Sequence, residues 1–249
     1  MFMKRVLSLI MVSIMVFTLM ACQAVPAGVE KIANQQPSAN TNKTQSNGKK
    51  VLFVGRDGGG DAIVAKRLKE KHGLEVTLVG DKELKVEHAD GHMLIYVSES
   101  VNSGKIRNIF VKTPVPVIYG EPQSTSDAGM AEVESHGSLV GSNAIKTIQI
   151  KDSKHPLAAG LQNNVDVYKD NGKMGFAVPG KEAIIVATVP NEEQKATIFA
   201  YEKGVKNVKG EPVAAREVYF YMFNGEEINQ TEDGWKLFDA AVRWTTEKK

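Results

Sequence analysis

The stretch KKVLFVGRDGGGDAIVAKRLKEKHGLEVTLVG, residues 49–80, decides the fold. Lys49 to Gly55 is a short, almost wholly apolar run ending on glycine, as expected of a strand buried on both faces. Gly58 to Gly73 opens on a glycine turn, continues with amphipathic spacing and closes on Gly73, which reads as a helix. LEVTLVG, Leu74 to Gly80, reads as a second strand. Strand, helix and strand in this order form a βαβ unit, whose two strands pair in parallel.

The pattern continues outward. HMLIYVSES (92–100) predicts a third strand, SGKIRNIF (103–110) a short helix, and VPVIYGEP (115–122) a fourth strand that stops at Gly120, Glu121 and Pro122. The alternation predicts an α/β domain: a three-layer sandwich with a mostly parallel central sheet and helices on both faces. VLFVG, HMLIYVS and VPVIYG should then be neighbouring parallel strands in the sheet interior. Beyond Gly129 strands follow one another more closely, in IKTIQI, EAIIVATV, KATIFAYEKG and REVYFYMF. TEDGWKLFDAAVRWT (231–245) closes the chain as a helix. Thr231 is its cap, and Trp235, Phe238, Ala241, Val242 and Trp244 form one apolar side that assigns both tryptophans to the core. Residues 49–247 make one domain, long enough for one sizeable core.

The first 22 residues have a different character. Lys4 and Arg5 precede the apolar run Val6 to Leu19, and LMAC (19–22) ends it, which predicts an export signal rather than a membrane-spanning helix. LMAC resembles the lipobox of bacterial lipoproteins, which implies a lipid on Cys22 and a chain held at the extracytoplasmic face of the cell membrane. Cys22 is the only cysteine of the 249 residues, so a domain anchored through it has no thiol for a disulfide, a zinc site or nucleophilic catalysis. Residues 23–48 are rich in Gln, Asn, Ser and Thr and lack aromatics, the composition of a flexible tether. The chain carries 31 Lys and Arg against 29 Asp and Glu, and loss of Lys4 and Arg5 with the signal balances them. There is no basic block for nucleic acid.

VLFVG, YVSESV, VPVIYGEP, KHPLAAGL (154–161), ATIFAYEKG and TEDGWKLFDAAVRW together resemble a domain of secreted bacterial proteins. That domain is similar to the ThuA-like and class I glutamine amidotransferase-like group. The resemblance spans residues 49–247 and implies that group's fold. In the amidotransferases a strand like PVIYG runs into a sharp elbow that presents a cysteine, and Glu121 falls at that position here. Without the thiol, and with Asn224 and Gly225 where ThuA-like chains often carry a histidine, the resemblance implies no amidotransferase activity. It points instead to a binding or accessory role, with carbohydrate or an envelope polymer as ligand.

Ligands of open α/β sheets bind beyond the carboxyl ends of the strands. The expected ligand-binding residues are therefore Asp57, Ser98, Glu99 and Glu121. Glu99 and Glu121 on one rim would suit shared acid and base roles, as in glycoside hydrolysis, or hold a hard cation. Alternatively they accept backbone N–H groups in turns or pair with Arg56. A hydrolase of glycans or esters would use Glu121 with Glu99 or His136, the latter expected in a polar loop; Ser98, His136 and Glu121 form the corresponding triad candidate. A purely structural interaction module is the remaining alternative. Asp61 reads as a cap of the first helix, and GRDGGGD (55–61) lacks the spacing of a phosphate loop. No histidine spacing fits a metal site, and no cofactor is expected. Pro122 is expected to keep a helix from starting directly after Glu121, and Gly120 to supply an unusual backbone angle.

Overall fold

The computed structural model describes residues 49–247. The expected signal peptide, Cys22 and the tether over 23–48 lie outside the described residues. The elements in chain order are β1 (Lys50–Val54), α1 (Gly59–His72), β2 (Glu75–Val79), β3 (Leu94–Val97), α2 (Ser103–Ile106), β4 (Val117–Tyr119) and α3 (Pro122–Asp127). There follow β5 (Ala131–Leu139), β6 (Thr147–Ile150), β7 (Asn164–Asp166), β8 (Met174–Pro179), β9 (Ile184–Val189), β10 (Glu192–Tyr201), β11 (Glu217–Phe220) and α4 (Glu232–Thr246).

The strands form one sheet in the order β2-β1-β3-β4-β11-β10-β9-β6-β7, with β8 attached to β10 and β5 to β8. From β2 to β11 every pairing is parallel. The three strands expected in the interior are indeed neighbours there. Past β11 the pairings turn antiparallel, which accounts for the closer succession of strands after Gly129. β5, β7 and β8 have weaker apolar patterns and are not foreseen in the sequence.

Both faces of β1, β3, β4 and β11 are covered, so these strands are nearly continuous apolar runs rather than alternating, whereas β2 at the sheet edge is exposed or half-buried. Val51 and Phe53 of β1, Tyr96 of β3, Ile118 of β4 and Phe220 of β11 pack against Val64 and Leu68 of α1 and Phe238 of α4. Leu52, Val54, Val97, Tyr119 and Tyr219 point the other way, toward Ile106 and Phe110. Gly73 ends α1 in the left-handed region at φ 64°, a backbone state that costs glycine little. Thr231 caps α4 as expected, accepting from the Gly234 amide.

The two long helices are joined by charge. Arg67 of α1 makes two parallel bonds, of 2.8 and 2.7 Å, to the buried Asp239 of α4, and His72 Nε2 lies 2.9 Å from the same carboxylate. Burial pushes Asp239 up, but the bonds from His72 and Arg67 outweigh it and hold the carboxyl at about 2. The Arg67 guanidinium also lies 4.7 Å from the Trp235 ring centre, leaving Trp235 half-buried beneath it.

Glu217 of β11 lies at the opposite end of the strand from the candidate site. It is 4% exposed, its Oε2 has no hydrogen-bond partner among the described residues, and burial pushes its carboxyl up to about 8. Because the folded value lies above the ordinary 4.5, the folded state binds the extra proton, and stability falls as pH rises from about 4.5 through 8. Glu217→Gln removes this dependence at one site. The variant should match the parent near pH 4.5 and melt about 10 °C or more higher at pH 9, taking about 1.4 kcal/mol per pK unit and about 2–4 °C per kcal/mol for a domain of this size. Thermal scans at the two pH values check it, and an equal shift at both would contradict the buried-acid explanation.

Candidate functional site

The carboxyl ends of β1, β3, β4 and β11 open onto one edge of the sheet. Directly beneath that edge is Asp61, in the first turn of α1 and 2% exposed. It does not cap the helix: Gly58 holds the N-cap position at φ 107°, and no side chain bonds there. Asp61 instead gathers the strand ends. It accepts the Arg56 amide at 2.6 Å, the Ser100 hydroxyl at 2.6 Å and the Ser98 hydroxyl. Ser98 in turn accepts the Ser100 amide at 3.1 Å.

Glu99 stands between these two serines with its side chain turned away, toward the loop after β11. Its Oε2 accepts the Asn224 amide at 3.0 Å. Burial pushes the Glu99 carboxyl up to about 7, and the charges of Glu227 and Asp61 add to the rise against the Asn224 amide and the Lys173 ammonium. Glu227, 3% exposed, sits over the start of α1, where a Cβ on Gly60 would collide with its carboxylate. Its Oε2 accepts the Gly225 amide at 2.7 Å, and burial raises its pKa.

Glu121 follows β4 directly. Pro122 does not prevent a helix here; it begins one. Its ring occupies the first turn of α3, where an amide would have no intrahelical acceptor anyway, and Glu121 is the N-cap. The Glu121 Oε1 accepts the Gln123 amide at 3.1 Å, with ordinary extended backbone angles of φ −81° and ψ 114°. Gly120 supplies closeness rather than an unusual angle. A Cβ there would lie 3.2 Å from the Val97 carbonyl and 3.4 Å from the Tyr96 hydroxyl. Burial pushes Glu121 up to about 7; the Gln123 amide opposes this, and the charge of Glu99 raises it further. The same two glutamates raise the pKa of Tyr219, already driven up by burial, and the Tyr219 hydroxyl has no partner among the described residues.

Thus Glu99 and Glu121 do share a rim, at the ends of neighbouring strands, with the buried Tyr219 phenol of the next strand, β11, within electrostatic reach of both. Near neutrality such a pair can offer a protonated carboxyl as donor and a carboxylate as acceptor. The triad candidate is not brought together. Ser98 is committed to Asp61, while His136 lies in strand β5 opposite Ala177, not in a loop, with its Nδ1 3.1 Å from the Ser126 hydroxyl. Arg56 pairs with Asp81 at 2.9 Å rather than with either glutamate. Asp57 is exposed and lines, with Arg56, Gly58 and Asp61, a cleft of about 400 Å³ that neither Glu99 nor Glu121 borders. Among the described residues no group of three or more His, Cys, Asp or Glu is arranged to hold a metal ion.

Sequence reasoning missed Glu227, Tyr219, Lys173 and the true role of Asp61. Only Asp61 left a trace: Ser98 and Ser100 are two apart, so in extended chain their side chains fall on one side and invite a shared acceptor.

No family model matches the sequence, and no curated protein matches it. Among solved structures the chain is similar to a provisionally assigned GMP synthase subunit from Thermoplasma acidophilum. The TM-score is 0.54 at 12% identity, over 78% of this chain and 92% of that one. A glutamine amidotransferase from Thermotoga maritima aligns at a TM-score of 0.45 and 11% identity, over 78% and 82%. At such identity the first match establishes shared architecture alone: the fold is class I glutamine amidotransferase-like.

The Asp61 arrangement sets a graded expectation. Asp61→Ala strands two hydroxyls and an amide and should cost about 3 kcal/mol, whereas Ser98→Ala, which leaves Asp61 two donors, should cost about 1 kcal/mol. Chemical denaturation of the two variants measures this. Equal, small losses would show that Asp61 does not hold the strand ends.

Proposed function

We propose that this chain is a lipid-anchored protein of the extracytoplasmic membrane face whose amidotransferase-like domain binds a ligand without turning it over. Carbohydrate of the cell envelope is the proposed ligand class, as the sequence resemblance implies. One observation carries the non-catalytic reading: Glu121, at the strand-to-helix turn where the resemblance puts a nucleophile, is spent as the N-cap of α3. A capping carboxylate on unstrained backbone is positioned, not poised for attack.

The pair Glu99 and Glu121 supports recognition of hydroxyl groups. With both carboxyls near 7, donor and acceptor coexist at neutral pH and only acceptors remain above about pH 8. Affinity for an envelope polysaccharide should therefore fall as pH rises through 7. Glu121→Gln keeps an acceptor for the Gln123 amide and removes the ionisable group. It should bind about tenfold more weakly, a loss of about 1.4 kcal/mol, and show a flatter pH profile. Its melting temperature should equal or slightly exceed the parent's at pH 8, because the folded state no longer carries an acid whose pKa is raised. Calorimetric titration at pH 6 and 8 reads the binding. Polysaccharide cleavage by the parent that disappears in Glu121→Gln would replace this reading with a carboxylate-dependent hydrolase.

The anchor is tested separately. Cys22→Ala should abolish incorporation of a fatty-acid analogue and release the protein from membranes, since a single-anchor protein with balanced charge has no second attachment. Equal labelling of parent and variant would remove the anchor from the proposal.

A further inference from the structure

The carboxyl edge does not stop at β11. β10 runs antiparallel to β11, and β9 antiparallel to β10, so the end of β9 returns to the edge that carries Glu99 and Glu121. β6, antiparallel to β9, starts there too. On that part of the edge lies a groove of about 690 Å³, within the usual size range of ligand sites. Ile145, which lines the groove, is bridged to Gly172 by N–H···O bonds of 3.2 and 3.1 Å, and Lys173, whose charge acts on Glu99, follows Gly172 directly.

The groove's charges cancel in pairs. Lys146 binds Asp166 at 2.8 Å, and the Thr147 hydroxyl is given to the same carboxylate at 2.5 Å. Lys195 binds Glu192 at 2.5 Å and lies 5.0 Å from the Phe176 ring centre. The side chains of Asn143, Asn164 and Asn171 are different: all three line the groove, are exposed, and make no hydrogen bond among the described residues. Ile145, Val189 and Pro190 add apolar surface between them.

We propose that this groove binds a neutral oligosaccharide through the amides of Asn143, Asn164 and Asn171. An amide offers donors and an acceptor together, which matches sugar hydroxyls, and apolar surface suits the C–H faces of sugar rings. Paired charges give a polyanion nothing to neutralise. A peptide laid on a sheet edge would depend on backbone ladder groups rather than on three side-chain amides. The proposal rests on the carbohydrate reading for its ligand class but uses none of the same side chains.

The test uses the intact protein and two neutral hexasaccharides, one of glucose and one of N-acetylglucosamine, followed by nuclear magnetic resonance of the asparagine side-chain NH₂ groups and by calorimetry. Saturable shifts of the three NH₂ signals are expected with at least one sugar. The triple variant Asn143→Ala, Asn164→Ala, Asn171→Ala should weaken that binding at least tenfold with an unchanged melting temperature, since the three sites are exposed. Glu121→Gln run alongside separates the two readings. Loss in the asparagine variant alone sustains the groove and sinks the rim, and loss in Glu121→Gln alone does the reverse. Absence of shifts with both sugars, or binding only of a heparin hexasaccharide or a neutral hexapeptide, overturns the proposal.

Discussion

The carboxylate of Asp61 fixes the geometry on which the whole carboxyl edge depends. A buried acid is tolerable when its lone pairs are filled, and Asp61 fills them with the end of β1 and two hydroxyls from the end of β3. Because Ser98 and Ser100 are both drawn inward, Glu99 between them must face the other way. That orientation brings it to the Asn224 amide and within electrostatic reach of Glu121 and Glu227. The rim is a consequence of a structural contact one layer below it.

Much of this is legible in the sequence, and the part that is not has a physical reason. Local patterning reveals β1, β3 and β4, because each buries one continuous apolar run, and α1 and β2, whose residues are largely exposed or half-buried, from the glycine-bounded order of strand, helix and strand. It fails for β5, whose exposed and half-buried residues carry no such pattern and which is held by pairing with β8. Proline after Glu121 reads as a barrier because its cost inside a helix is large. At the first helical position that cost vanishes, and the fixed φ becomes an advantage. Pairing of Glu99 with Glu121 is visible once strands three and four are neighbours. Glu227 and Tyr219 are not, since they reach the site from β11 and its following loop through contacts that no short-range spacing encodes.

Replacing a thiol by a carboxylate at a strand-to-helix turn changes what the turn can do. A thiolate gains reactivity from a nearby helix start, whereas a carboxylate gains hydrogen bonds and becomes part of the helix end. Glu121 is such a carboxylate, accepting the Gln123 amide as the N-cap of α3. What remains adjustable is its proton, which burial and Glu99 together bring into the neutral range. The site can thus vary its hydrogen-bonding character with little movement of its backbone.

The position of β11 has a consequence for how the chain assembles. It is the last strand in sequence, yet it lies between β4 and β10 in the sheet. A chain emerging from its amino end can pair β2, β1, β3 and β4 early, but β4 then presents an open edge until β11 arrives. That edge is apolar and unprotected, the kind of surface that invites pairing between chains. The slow event in folding is therefore expected to be insertion of this late central strand, a long-range closure whose entropy must be met before its contacts are gained. A chain shortened before β11 would lose the junction of both sheet halves rather than a dispensable end.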